Sequence, residues 1–254
     1  MPGWVVLFTA IAAVAGSDDD RPLIALGGDP ARGVLIDLTP GLAWPGGPTV
    51  VFVHGANPAP RIVHFEMAER LAEALGRRAG PPCRVLAWEW NAATSDSHWH
   101  KVNDRNAIGQ GHVLAGALLA AGVPPEQTQL IGHSAGAIVA TSAAHDLAVR
   151  YGRPLARLTL LDPAICYHRI VFEQLHAGTT AHQVENYWAP GPSGFGCAVA
   201  CPRVRNVRVA GPSPWLGLAW PLRSSHLFLV RWYLSTAEDA ARPGGFNTSL
   251  LFVP

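Results

Sequence analysis

The feature that most constrains the fold of this chain is a regular alternation of short apolar segments with helix-patterned segments from residue 48 onward. The apolar segment at 49–53 is rich in β-branched residues, and the segment at 65–78 places its apolar residues at helical spacing. The same reading predicts further strands at 84–90, 129–132, 157–161, 183–188 and 204–210, and helices at 105–121, 136–151 and 224–239. Alternation of this kind predicts an α/β fold, a mostly parallel sheet with helices on both faces.

The beginning of the chain adds two weaker strand signals. Residues 22–26 and 33–39 are predicted edge strands of the same sheet. The sequence contains no repeat, no low-complexity tract and no long linker, and its 254 residues, 49% of them hydrophobic, suffice for one sizeable core. We therefore expect a single domain over residues 22–254.

The first residues resemble a targeting segment. An apolar run at 4–14 is too short to span a bilayer, ends in the A-x-A pattern Ala13-Val14-Ala15 and is followed by an acidic stretch. This predicts a signal peptide over residues 1–15 and a secreted or periplasmic protein. An ordinary N-terminal strand or helix is the alternative, and the protein is then cytoplasmic.

Charge and motif content argue against several partners and cofactors. The net charge is +1 and the arginines are scattered, so no nucleic-acid partner is expected. No dinucleotide-binding loop or Walker sequence is present, so no cofactor is expected. The segment SDSHWH at 95–100 is read as a polar surface loop, and no metal is expected. The sequence leaves the oligomeric state open.

The cysteine pattern fits two environments. The four cysteines are Cys83, Cys166, Cys197 and Cys201. In an exported protein, Cys197 and Cys201 could close a small disulfide loop. In a reducing compartment they would be free, buried thiols.

The pentapeptide Gly132-His133-Ser134-Ala135-Gly136 is the strongest motif in the chain. It matches G-x-S-x-G and lies between a predicted strand and a predicted helix, which is the context of a nucleophile elbow. The turn is so tight that its serine adopts a strained backbone, and glycine on either side avoids clashes. We therefore predict that Ser134 is a nucleophile.

A serine nucleophile needs a base and an acid that orients the base. The base should follow the elbow in the chain, and His226 opens the last predicted helix. The acid is predicted at Asp162, in LLDPA, at the carboxyl end of the strand after the elbow. Adjacent strands lie about 4.8 Å apart, so a carboxylate there can reach a histidine that also reaches Ser134. Ordinary helix-start and loop roles are the alternatives for His226 and Asp162.

An acyl-transfer site also needs N–H donors for the oxyanion of its tetrahedral intermediate. One donor should be the amide of Ala135, directly after the nucleophile. The other should come from the loop after the strand at 49–53, where we choose Ala56. His54, in the same loop, is expected to organise the loop rather than to take part in the chemistry.

These segments together resemble the pancreatic lipase family of α/β-hydrolases. The resemblance covers roughly residues 48–240 and rests on VFVHG, LIGHSAGA, LLDPA and SHLFLVRWYLST, which occur in that order. Placement of the acid directly after the strand that follows the elbow is typical of that family. The resemblance implies an α/β-hydrolase fold, with Ser134 as nucleophile, Asp162 as acid and His226 as base.

The segment before His226 departs from the family pattern. Animal members carry a long disulfide-closed lid there, whereas this chain has only residues 211–225. The sequence leaves open two roles for the apolar side chains of this segment: a small lid or acyl-binding wall, or part of the core. These side chains are Trp215, Leu216, Leu218 and Trp220.

The sequence thus predicts a serine hydrolase that cleaves apolar acyl esters, a lipase or esterase acting on a small-molecule or lipid ester, with transient contact to a lipid interface as one option. Two alternatives stay open. One is another acyl hydrolase, such as a thioesterase, an amidase or a polyester depolymerase, which would share fold and triad. The other is a non-catalytic binder of lipid or a partner on the same fold.

Overall fold

The computed structural model of the protein describes residues 24–29, 33–42, 47–56, 62–78, 81–90, 105–164, 169–189, 197–210 and 224–248. Within them lies one eight-stranded sheet with the order β1-β2-β4-β3-β5-β6-β7-β8. The strands are β1 (Ile24–Asp29), β2 (Gly33–Asp37), β3 (Thr49–Val53), β4 (Arg84–Glu89), β5 (Thr128–His133), β6 (Leu155–Leu161), β7 (Ala181–Trp188) and β8 (Arg205–Arg208). Strand β2 runs antiparallel to β1 and β4, and the pairs from β4 to β8 are parallel.

Helices connect the parallel strands and cover the sheet. They are α1 (Ile62–Gly76), α2 (Ala107–Ala120), α3 (Gly136–Val149), α4 (Arg169–Gln174) and α5 (Ser224–Glu238). Helices α2 and α3 pack against one face of the sheet, and α1 and α5 pack against the other. A short 3-10 turn, Gly245–Thr248, follows α5 and packs against it.

The core is divided by the sheet into two layers, as the alternation of side chains along a strand requires. In β3, Val51 and Val53 join the cluster beneath α2 and α3, while Val50 and Phe52 join the cluster beneath α1 and α5. All five residues of β3 are buried, which explains why residues 50–53 are continuously apolar rather than alternating.

A buried ion pair ties the end of the described chain to the sheet. Arg157 of β6 and Glu185 of β7 are fully buried and form an ion pair. Arg157 also donates to the carbonyl of Gly245 at 3.1 Å and to Thr248 Oγ1 at 2.7 Å. Glu185 accepts from Tyr187 Oη at 2.9 Å, so hydrogen bonds reinforce the ion pair.

The fold predicted from the sequence is confirmed: the sheet is mostly parallel, has helices on both faces and is that of an α/β-hydrolase. Predicted boundaries differ from the observed ones by up to three residues. Strand β1 lies at an edge of the sheet as predicted, but β2 does not, because β1 pairs with it on its outer side. Helix α4 was not predicted, since six residues give too short a pattern to recognise.

The structure also bears on the predictions made for the cysteines and for the first residues of the chain. Cys83 and Cys201 are free thiols, and the Cys201 sulfur accepts the Gly178 N–H at 3.5 Å, so the Cys197–Cys201 bridge is not formed. The predicted signal peptide lies outside the described residues. Across the ranges given above, no helix has the length and apolar character that crossing a bilayer requires.

Candidate active site

The elbow at Ser134 joins β5 to α3 at the carboxyl edge of the sheet. Ser134 has φ +56°, a left-handed conformation that a residue with a side chain adopts only when its surroundings impose it. Its N–H donates to the carbonyl of Leu161 at 3.0 Å, and its carbonyl accepts from the N–H groups of Ala137 and Ala164 at 3.1 and 3.3 Å. The strained serine predicted from the motif is therefore present, held by backbone bonds to the next strand.

The two glycines of the elbow are required by close approach of backbone. A Cβ atom added to Gly132 would lie 2.5 Å from the Gly136 carbonyl oxygen. A Cβ atom added to Gly136 would lie 2.5 Å from the carbonyl oxygen of Val53, at the end of β3. The elbow therefore packs backbone against backbone, both on itself and on the neighbouring strand.

Asp162 lies beside the elbow, directly after β6. Leu161 pairs with His133 in the sheet register, so Asp162 is the next residue along and neighbours Ser134 across the two strands. Its backbone also has a positive φ, +45°, and its N–H donates to the Tyr187 carbonyl at 2.9 Å. The side chain is 3% exposed, and its Oδ1 accepts the Ala189 N–H at 3.4 Å.

His226, in the first turn of α5, meets this carboxylate. Its Nδ1 donates to Asp162 Oδ2 at 2.5 Å, which fixes the tautomer and the orientation of the ring and puts the lone pair on Nε2. The imidazole lies against that of His133, with ring centroids 4.4 Å apart and planes tilted by 40°. Because His133 precedes Ser134 in the elbow, this contact places the His226 ring beside the elbow.

The segment His54–Ala56, which we call the oxyanion loop, approaches the elbow from the end of β3. A Cβ atom added to Gly55 would lie 2.8 Å from the Cβ of Ser134, so the loop backbone passes directly over the serine. Ala56 is half-buried and packs against the core, and Ala135 is fully buried at the start of α3. The structure thus places the oxyanion loop, which contains Ala56, against Ser134, and Ala135 directly after the serine.

Trp90 is a member of this site that the sequence analysis did not single out. It directly follows β4, is buried, and hydrogen-bonds to His54 through both its backbone N–H and its indole. The signal that could have found it is positional, because β4 lies next to β3 and the carboxyl ends of the two strands meet at the same edge of the sheet.

Several predicted residues lie outside the described part of the chain. They are Trp215, Leu216, Leu218 and Trp220 of the proposed lid or acyl wall, and the polar segment 95–100. Among the described residues, no group of three or more His, Cys, Asp or Glu side chains could hold a metal ion.

Comparison with known proteins adds likenesses of fold and no family. No family model matches the chain. No curated protein matches it significantly. The solved structures it resembles include a Pyrobaculum calidifontis esterase (15% identity, 82% of this chain and 80% of that one, TM-score 0.44) and Thermogutta terrifontis esterase 2 (11% identity, 85% and 94%, TM-score 0.48). An arylesterase aligns at 13% identity over 89% of this chain and 88% of its own, with a TM-score of 0.47.

At these identities and TM-scores, the likenesses show neither a family nor an activity of this chain. The candidate site is defined by the geometry of this chain: its strand order, its elbow and the contacts of Ser134, Asp162 and His226. The resemblance to the pancreatic lipase family stays a prediction.

Proposed function

We propose that the protein is a serine hydrolase that cleaves carboxylic esters of apolar acyl groups through an acyl-enzyme. The observation that carries the proposal is the hydrogen bond between His226 Nδ1 and Asp162 Oδ2, made at the strand end next to a strained serine on an elbow. Structural histidine–aspartate pairs are common, but such a pair beside a serine on a strand–turn–helix elbow is the arrangement that nucleophilic acyl transfer needs.

In the acylation step, Ser134 Oγ attacks the carbonyl carbon of the ester while its proton passes to His226 Nε2. Asp162 holds the ring and stabilises the imidazolium that forms. The carbonyl oxygen, now an oxyanion, accepts hydrogen bonds from the amides of Ala56 and Ala135. When the bond between carbon and the alcohol oxygen breaks, His226 gives its proton to the departing alcohol.

Deacylation repeats these steps with water as the nucleophile. His226 takes a proton from water as its oxygen attacks the acyl carbon, and the same two amides stabilise the second oxyanion. The bond to Ser134 Oγ then breaks, the serine recovers its proton from His226, and the carboxylic acid leaves. No step calls on a cofactor.

The preference for apolar acyl groups is a proposal from the sequence. Residues 211–225 contain Trp215, Leu216, Leu218 and Trp220, which would supply a small lid or an acyl-binding wall beside His226. The same apolar segment would provide the transient contact with a lipid interface. Export to the periplasm or the medium, proposed from residues 1–15, would bring the enzyme to such substrates.

The test is a series of p-nitrophenyl esters from C2 to C16 assayed with the wild-type protein and Ser134→Ala. We expect turnover by the wild type and a loss of about 10⁶-fold in kcat for the variant, because the residual rate without a nucleophile comes only from binding and oxyanion donors. Preference for long chains would support a lipase, and preference for short chains a small esterase. Full activity of Ser134→Ala would refute the mechanism.

A fluorophosphonate probe separates the rival readings. Labelling of Ser134, located by peptide mapping and absent from Ser134→Ala, would contradict a non-catalytic binder. A protein that is labelled but turns over none of the esters would be another acyl hydrolase, and thioesters, anilides and a polyester film would then be assayed. A protein that is neither labelled nor active would contradict the proposal.

A further inference from the structure

The oxyanion loop contains a buried histidine that the mechanism above does not use. The side chain of His54 is only 5% exposed and lies between the loop and Trp90. Its ring stacks on the Trp90 indole, with centroids 5.7 Å apart and planes within 28° of parallel. A plain packing role would account for the stacking, but not for the hydrogen bonds described next.

The hydrogen bonds of His54 fix its tautomer. The backbone N–H of Trp90 points at Nε2 from 3.2 Å, and because an N–H can only donate, Nε2 must carry the lone pair. Nδ1 lies 2.7 Å from the carbonyl oxygen of Gly55, and because a carbonyl can only accept, Nδ1 must carry the proton. The ring is therefore neutral with its proton on Nδ1, and both of its nitrogens have defined partners.

Two neighbours of the ring bear on this assignment. Glu89 Oε1 lies 3.8 Å from His54 Nε2, and an ion pair there would need a proton on Nε2, which would displace the Trp90 N–H. The indole of Trp90 adds a second clamp, since its Nε1–H donates to the backbone carbonyl of His54 at 2.8 Å. Trp90 thus hydrogen-bonds both to the backbone of the loop and to the His54 side chain.

The bond from His54 to Gly55 acts on Ala56 through the peptide plane. The described residues contain no cis peptide bond, so the Gly55 carbonyl and the Ala56 N–H belong to one trans unit and point in opposite directions. Holding the carbonyl toward His54 therefore holds the N–H on the other side. Rotation of this peptide would remove the donor from the site without moving any side chain.

We infer that His54 is a positioning residue for the reaction: the proton on its Nδ1 locks the Gly55–Ala56 peptide so that the Ala56 amide donates to the oxyanion at Ser134. The inference rests on the proposed function and adds to it a residue that sets transition-state stabilisation without contacting the substrate. Trp90 serves the same purpose one step further away, because its N–H keeps the His54 proton on Nδ1.

A matched pair of variants tests the inference. In His54→Asn the amide N–H₂ takes the place of Nδ1 and can still donate to the Gly55 carbonyl. In His54→Gln the amide reaches the place of Nε2, so it can bond to the Trp90 N–H but leaves the Gly55 carbonyl without its donor. The two variants carry the same functional group, and they differ in which of the two hydrogen bonds of His54 they keep.

We expect His54→Gln to lower kcat about 100- to 1,000-fold with KM near the wild-type value, the effect of losing one oxyanion donor. His54→Asn should stay within about tenfold of the wild type. Thermal unfolding of both variants shows whether each is folded. Equal kcat values for the two variants, or losses that follow their stability instead of the hydrogen bond, would overturn the inference.

The affinity of a trifluoromethyl ketone with an apolar alkyl chain tests oxyanion stabilisation directly, and a purely structural role of His54 would leave that affinity unchanged. The ketone adds Ser134 Oγ to its carbonyl carbon, with the serine proton going to His226, and so forms the oxyanion without turning over. His54→Gln should lower the affinity for this inhibitor by the same factor by which it lowers kcat/KM. The matching methyl carbinol, which forms no oxyanion, should bind to the variant and the wild type equally well. Unchanged affinity for the ketone in His54→Gln would contradict the inference.

The outcome distinguishes the two proposals. If the wild-type protein neither cleaves esters nor adds to the ketone, the proposed function fails and the inference fails with it. If the wild type is active and His54→Gln matches it, only the inference fails.

Discussion

Two residues of the candidate site, Ser134 and Asp162, have positive φ values, +56° and +45°, although neither is glycine. Each such residue costs on the order of 1–3 kcal/mol, so the surrounding structure must impose the conformation. Their N–H groups donate to the carbonyls of Leu161 and Tyr187, each on the next strand toward β8. The strain is therefore stored in the connections of neighbouring parallel strands, beside the point where Asp162 meets His226.

The carboxylate of Asp162 gives the prediction at this scale. In Asp162→Asn the amide can present its N–H₂ to His226 Nδ1, which would place the imidazole proton on Nε2 and leave no base for the serine. We expect kcat to fall about 10⁴-fold with little change in stability, measured by ester hydrolysis and thermal unfolding.

Asp239→Asn, at an exposed aspartate after α5, is the control and should keep wild-type activity. An Asp162→Asn variant that kept its kcat would mean that His226 is oriented by some other group.

The elements that build the site meet through backbone rather than through side chains. Strand β3 and the oxyanion loop lie against the elbow so closely that a Cβ atom on Gly55 or Gly136 would collide with Ser134 Cβ or with the Val53 carbonyl oxygen. The spacing of the oxyanion loop from the nucleophile is thus set by two residues without side chains, and it leaves no room for adjustment.

Gly136→Ala should therefore separate the elbow from β3. We expect overpacking to lower the free energy of unfolding by about 1–3 kcal/mol. Because the Ala56 amide moves, we also expect kcat to fall by a larger factor than the factor by which KM changes.

Gly116→Ala is the matched control, because Gly116 is exposed within α2 and an added Cβ meets nothing within 4 Å. It should raise stability by up to about 1 kcal/mol through helix propensity, with activity unchanged. If Gly136→Ala behaved like Gly116→Ala in chemical denaturation and in kcat, close approach would not be what the elbow requires.

The sequence could predict those features whose pattern lies in consecutive residues, but not contacts between residues far apart in the chain. The strands, four of the five helices and the elbow have local patterns, and the order of the strands places Asp162 beside Ser134. The contact of Trp90 with His54 has no local pattern, because it depends on β4 inserting next to β3 in the sheet. The Arg157–Glu185 pair could not be predicted for the same reason, because its two residues lie on different strands. A single charge inside a buried strand argues against burial unless its partner is known.

On the scale of the whole molecule, the Arg157–Glu185 pair joins β6 and β7 to the turn at Gly245–Thr248. Burial by itself raises the pKa of the Glu185 carboxyl, but the charge of Arg157 and the hydrogen bonds from Arg157 and Tyr187 outweigh it, so the pKa lies below its ordinary value. A lowered pKa means that ionised Glu185 stabilises the folded chain above the unfolded-state pKa, about 4.3. That contribution is lost as the pH falls through the folded pKa.

Glu185→Gln should therefore lower the free energy of unfolding by about 3–5 kcal/mol at pH 7, because it leaves the buried Arg157 charge without its counter-charge. The difference from the wild type should narrow below about pH 4, which urea unfolding from pH 3 to 8 would measure.

Replacing both partners by leucine should cost less than Glu185→Gln alone, since no buried charge remains. A gap between wild type and Glu185→Gln that stayed constant down to pH 3 would contradict the lowered pKa.

The position of α5 and the turn after it has a consequence for the order of synthesis. Residues 224–248 supply His226, much of the layer that packs against α1, and the carbonyls that bind Arg157. Ribosomes add about 5–20 residues per second, so for seconds after Ser134 and Asp162 have emerged the nascent chain has neither His226 nor its second core layer. The second core layer and the candidate site are therefore completed together, once residues 224–248 have emerged, and until then the apolar face of β3 and β5 is a surface for chaperones to cover.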